Sequence, residues 1–196
     1  TGAGQALNVI EADGIIINQI QTNNGNVSIE AATFSMGDIT VVDLNAGDAL
    51  VELTAAAMGG GVIDGGSGNA SIQAGSLVID VTEGVGDNDR LIVDIDELAV
   101  ATQSGDINIL DLSGGLTITD IQAVSGVSIN NGSPADQIDI RSNGDFTITS
   151  DVVNTGGGNI QLSAIGTDPN SLKLNARVAA ENGTGNVQLT ATEDIE

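Results

Sequence analysis

Short runs in which apolar and polar residues alternate recur from one end of the chain to the other. Seven of them share a preamble, a Gly followed by Asn or Asp. They are Gly25-Asn26-Val27-Ser28-Ile29, Gly37-Asp38-Ile39-Thr40-Val41, Gly68-Asn69-Ala70-Ser71-Ile72 and Gly105-Asp106-Ile107-Asn108-Ile109, then Gly144-Asp145-Phe146-Thr147-Ile148, Gly158-Asn159-Ile160-Gln161-Leu162 and Gly185-Asn186-Val187-Gln188-Leu189. Looser copies lack the full corner, among them Leu77-Val78-Ile79, Leu91-Ile92-Val93, Leu116-Thr117-Ile118, Ile138-Asp139-Ile140 and Leu172-Lys173-Leu174. A period of two sends successive side chains to opposite faces, so these runs predict half-buried strands of about three to five residues. The Gly-Asn and Gly-Asp pairs predict tight corners, with Gly supplying positive φ and Asn or Asp supplying local side-chain bonds. No segment predicts a helix: the best candidate, Ala55-Ala56-Ala57-Met58, runs straight into Gly59-Gly60-Gly61.

A strand so short cannot bury its apolar face alone. Stacking many similar coils can, placing Ile over Ile and Val over Val. Aromatic content points the same way. The chain has two Phe and neither Trp nor Tyr, whereas a globular core of this size uses aromatics to fill its volume. The competing arrangement, a pair of β-sandwich domains, wants strands of about five to six residues and aromatic anchors. The expectation is therefore an all-β parallel β-helix (β-solenoid) with two to three short strands per coil. Coils of about 20 to 25 residues would give about eight or nine layers and a rod about 40 Å long. No linker interrupts the pattern, so residues 1–196 are expected to form a single continuous segment. It begins with Thr1 rather than Met and ends in what looks like another coil starting, Thr190 to Glu196. We therefore expect it to be excised from a longer chain.

The Gly-Asn/Asp-Ile-x-Leu series, from about Gly25 to Leu189, resembles the repeat regions of large secreted bacterial surface proteins, the filamentous-haemagglutinin-like and giant adhesin β-solenoids. That resemblance implies a right-handed coil and a place in an exported fibre, adhesin or surface layer. The motif is degenerate and identifies an architecture better than a particular protein. No match to the N-terminal secretion domain of the haemagglutinin group is visible.

Charge narrows the chemistry. There are 27 acidic residues against 4 basic ones, no His and no Cys, for a formal net charge of −23. Zinc or haem sites built on Cys or His, disulfides and His-dependent nucleophilic triads are excluded. Four cations cannot neutralise a phosphate track, so nucleic acid is not an expected partner. No apolar run approaches the length of a membrane span. Carboxylates in turns do suit calcium. The sharpest cluster is Gly84-Val85-Gly86-Asp87-Asn88-Asp89-Arg90, similar to one loose turn of an RTX calcium roll, with Asp87 and Asp89 as the candidate ligands. Val85 interrupts the Gly pair, no tandem turn follows, and Arg90 stands ready to neutralise the acids. A second candidate is a carboxylate ladder: Asp94, Asp96 and Glu97, with Asp80 and Asp111 in neighbouring coils.

The reading that follows is a non-enzymatic, extracellular structural segment of a surface fibre, adhesin or surface layer, with no cofactor other than the candidate calcium. Its expected partners are neighbouring repeats or further copies along the rod axis. The alternative is a binding module whose loops, Gly59–Gly68 and Gly126–Asp136, contact a receptor or a glycan. A polysaccharide-acting β-helix enzyme ranks third. Two carboxylates suffice for glycoside hydrolysis, but sugar subsites use aromatic platforms and this chain has no Trp or Tyr.

Overall fold

The structure is a computed structural model that describes residues 4–31, 37–55, 59–66, 68–86, 89–112 and 114–196. Its described residues form short strands and turns with no helix. The strands stack in parallel as a β-solenoid, and register defines three faces. On the first, Leu7, Val27, Val51, Leu77, Leu98, Ile118, Ile148 and Leu174 lie one above the next. On the second, the column is Ile15, Ile39, Val62, Val85, Ile107, Ile138, Ile160 and Val187, at intervals of 22 to 31 residues. On the third it is Ile20, Leu44, Ile72, Val93, Asp111, Ser142, Ala164 and Ala191. Seven coil-to-coil steps at about 4.8 Å make a rod roughly 35 Å long.

The columns point inward and, apart from the polar Asp111 and Ser142 and the exposed Val187 of the last coils, form one continuous aliphatic core. Ile39, Ile72, Ile107, Ile129, Ile148, Ile160 and Leu162 are fully buried in it. Leu174 and Leu189 face the same core but are only partly buried, because they lie in the last coils. Phe146 fits inside, between Leu116 and Leu172 in register. Phe34 and the helical candidate residues Ala56 to Met58 lie outside the described residues.

The cross-section changes along the rod. In the early coils the first face is one straight strand (Val27–Ala31), while the second (Ile39–Val41) and third (Leu44–Asn45) are separate. In the middle the third and first faces run together as long strands, Ile72–Val81 and Leu91–Thr102. There the second face shrinks to Val85, bridged to Val62 and Ile107. In the late coils the second and third faces fuse into five-residue strands, Ile107–Asp111, Ile138–Ser142, Ile160–Ala164 and Val187–Ala191. The first face then divides, as in Asp145–Ile148 and Val152–Asn154. A corner thus moves around the coil while the three inward columns stay continuous.

Where the first face first divides, the break holds an antiparallel hairpin, Asp120–Ile121 paired with Val124–Ser125. It folds over the outside of the rod. Ile121 and Val124 cover Val78 and Ala99, which point outward by register yet are 3% and 0% exposed. At the hairpin base the Asp120 carboxylate accepts a hydrogen bond from Ser125 Oγ at 2.6 Å. That bond, with a second from Ser150, holds the Asp120 carboxyl below its ordinary range.

Two predictions follow from packing and charge. Thr102 sits between Val81 and Ile129 in an inward column, fully buried, and its Oγ1 has no hydrogen-bond partner. A buried orphan hydroxyl costs about 1–3 kcal/mol, so Thr102→Val, which keeps the shape and removes the hydroxyl, should raise the melting temperature by a few degrees. A fall in melting temperature would show that the hydroxyl is satisfied. Asp120 has a folded pKa below its unfolded value, so its contribution is present above the unfolded pKa and is lost as pH falls through the folded one. The protection of the Ile121 and Val124 amides, as exchange relative to the intrinsic rate at each pH, should therefore fall in acid before that of the core amides. Asp120→Asn should remove that pH dependence, and an unchanged profile would disprove the assignment.

Candidate functional site

The recurrent Gly-Asn/Asp corner is the most repeated polar feature, and its geometry explains both residues. The side-chain oxygen reaches the next coil. Asn26 Oδ1 accepts from Leu50 N at 3.3 Å, Asp38 Oδ1 from Gly61 N at 3.0 Å, and Asp106 Oδ1 from Gln137 N at 2.7 Å. Asp145 Oδ1 accepts from Ser171 N at 2.8 Å and Asn159 Oδ1 from Asn186 N at 2.9 Å. Asp151, ahead of another strand, does the same for Arg177 N at 3.1 Å. At five of the seven Gly-Asn/Asp corners, and at Asp151, a side chain thus takes up a backbone N–H of the following coil.

The Gly is there for closeness. A Cβ on Gly158 would lie 1.8 Å from Asp136 O, one on Gly25 2.0 Å from Gln5 O, and one on Gly37 2.2 Å from Gly14 N. Of the seven motif glycines only Gly68 and Gly105 have positive φ. The expectation of local turn chemistry is corrected on both counts: the bonds run between coils, and most of these glycines make room for the preceding coil.

The candidate calcium loop is only partly described. Asp87 lies outside the described residues, and Asp89 is exposed. Arg90, expected to neutralise those acids, turns elsewhere. Its Nε donates to Asn108 Oδ1 at 2.5 Å and its guanidinium to Asp139 Oδ2 at 2.7 Å. Arg141 grips the same carboxylate through Nε at 3.0 Å and its terminal nitrogen at 2.8 Å. The bond to Asp139 pushes the Arg141 pKa up.

The expected carboxylate ladder does not form. Asp94 stacks on Gln73, Glu97 on Ser76 and Thr117, and Asp80 on Thr54 and Ala101. Asp111 is not outside at all. It is fully buried in the third column, where it accepts from Ile95 N at 3.2 Å and Ser142 Oγ at 3.1 Å. Asp64, in register with Val41, is likewise buried and accepts from Gly66 N at 2.6 Å and Ile92 N at 3.0 Å. Neither burial is foreshadowed by charge, although each Asp closes an alternating run at an inward position. A groove of about 280 Å³ has Asp48, Asp94 and Asp96 in its lining. Among the described residues, however, no group of three acidic side chains is arranged to hold a metal ion.

The two loops suggested as binding sites are tied into the coil. In the second, Ser133 N and Oγ donate to Asp136 at 2.8 and 3.1 Å, and Asn131 Nδ2 donates to Gln103 Oε1 at 2.7 Å. The first, Gly59–Gly68, contains the strand Val62–Asp64, whose last residue is buried. Compared with protein-family models, curated proteins and solved structures, the chain matches none.

The corners give a test that separates clasp from cation ligand. Asp145→Ala leaves Ser171 N without its acceptor and should destabilise the fold by about 1 kcal/mol. Asp145→Asn retains an oxygen in place and should melt close to the parent. Calcium should raise the melting temperature no more than sodium chloride at matched ionic strength. A loss in Asp145→Asn as large as in Asp145→Ala, or a calcium-specific rise abolished by Asp89→Asn, would reverse this assignment.

Proposed function

We propose that this chain is a non-enzymatic structural segment of an exported bacterial surface protein, a stiff stretch within a fibre, adhesin or surface layer. The observation that carries this reading is the use made of the repeated polar residues. Those at the corners bond the next coil, as Asp106 and Asp145 do, and so serve the continuity of the rod. The resemblance of the same repeats to secreted solenoids supplies the extracellular setting. On this reading the inward aliphatic columns give the segment its cohesion, and backbone hydrogen bonds along the axis join each coil to the next. The acidic exterior keeps neighbouring rods apart by repulsion and discourages lateral strand pairing.

The test is one of location. Antibodies raised against the folded segment should label intact cells of the source organism, and brief surface proteolysis should remove the label. Labelling that appears only after the cells are opened would overturn the proposal.

A further inference from the structure

One face of the late coils differs from the rest of this acidic molecule. Flanking the inward column Ile138, Ile160 and Val187, two outward rows run parallel to the rod axis. Gln137, Asn159 and Asn186 form one; Asp139, Gln161 and Gln188, in register, form the other. The rows enclose a shallow depression of about 190 Å³, which adjoins a second of about 160 Å³ through Gln137 and Asp139. The only carboxylate within the two rows is Asp139, which is held by Arg90 and Arg141; Asp106, which accepts from Gln137 N, joins the lining of the smaller depression, so two carboxylates face two guanidinium groups here. A chain of net charge −23 therefore presents here a strip without excess negative charge.

Four of the five amides of this strip are uncommitted; the fifth, Asn159, accepts from Asn186 N through its Oδ1. Among the described residues, no hydrogen bond engages the side-chain amides of Gln137, Gln161, Asn186 or Gln188. The early coils contrast with this: there Asn45 Nδ2 donates to Gln73 Oε1, so that row is bonded within itself. Each free amide offers two donors and one acceptor oxygen. Gln161 and Gln188, in register on successive coils, repeat that offer about 4.8 Å apart.

We infer that this strip is a binding face for an extended, neutral polysaccharide strand lying along the rod axis. Paired donors and acceptors match hydroxyl groups, which are both. The absence of excess charge suits an uncharged partner. The repeat is close to the length of one sugar in an extended β-linked chain, so several coils can engage one strand in register. A peptide strand is disfavoured, because this is the face of a sheet and its backbone groups already pair with the coils above and below. Without aromatic platforms the contact per sugar is weak, and affinity grows with the number of coils engaged. The inference goes beyond the structural role proposed above and does not depend on where the chain resides.

Cellohexaose and chitohexaose serve as probes, titrated separately into isotope-labelled protein. The side-chain amide signals of Gln137, Gln161, Asn186 and Gln188 should shift with at least one of them, ahead of those of Asn45 and Gln73. The double substitution Gln161→Ala/Gln188→Ala should weaken binding about tenfold while leaving circular dichroism and melting temperature unchanged. Gln161→Glu, similar in shape but unable to donate, should weaken it as well. The inference is overturned if neither oligosaccharide shifts these signals at millimolar concentration, or if the Asn45–Gln73 face shifts equally. It is also overturned if both variants bind like the parent, or if sedimentation shows a second copy of the chain covering this face.

Discussion

Everything in this rod follows from the distance between one coil and the next. Backbone hydrogen bonding fixes that distance at about 4.8 Å, and it does so at the corners as well as along the strands. A corner has no side-chain layer to hold neighbouring coils apart. A Cβ at Gly158 would fall within bonding range of Asp136 O. A corner also breaks the regular ladder and leaves N–H groups that need acceptors. Asn and Asp are short enough to reach the next coil from that position, and they are found there. Gly followed by Asn or Asp therefore answers two demands of one spacing.

The same spacing decides what surface charge can do. Like charges stacked at that distance would repel strongly in a sheet. The chain carries 27 acidic residues, but register separates them. Asp80 lies between Thr54 and Ala101, and Glu97 between Ser76 and Thr117. Two acids, Asp64 and Asp111, are inside the rod, where backbone N–H groups and serine hydroxyls donate to them. Their burial is compatible with the core because donors are aimed at them.

The architecture was legible in the sequence because alternation and corner residues both repeat, and a solenoid is built by repetition. The inward positions Ile39, Ile107 and Ile160 could be read directly from their runs. What could not be read was register between coils. Asp94 and Asp111 look alike as a ladder in one dimension, but lateral offset puts one against Gln73 and the other in the core. The hairpin was hidden for a related reason. Its cover is needed because Val78 and Ala99 interrupt alternation with an apolar residue on the outward side, and that signal gains meaning only when the two are seen stacked. Arg90 was misassigned because its neighbours in sequence, Asp87 and Asp89, hid a partner 49 residues away, Asp139.

Because the corner moves, the coils of this rod are not interchangeable. An early coil carries one unbroken first-face strand, Val27–Ala31, and two separate short ones, Ile39–Val41 and Leu44–Asn45. A late coil carries one fused strand, Ile138–Ser142, and a divided first face, Asp145–Ile148 and Val152–Asn154. An early coil grafted in place of a late one would lay an unbroken strand over a corner and lose the ladder there. Exchange of coils is therefore tolerated only between positions of like cross-section.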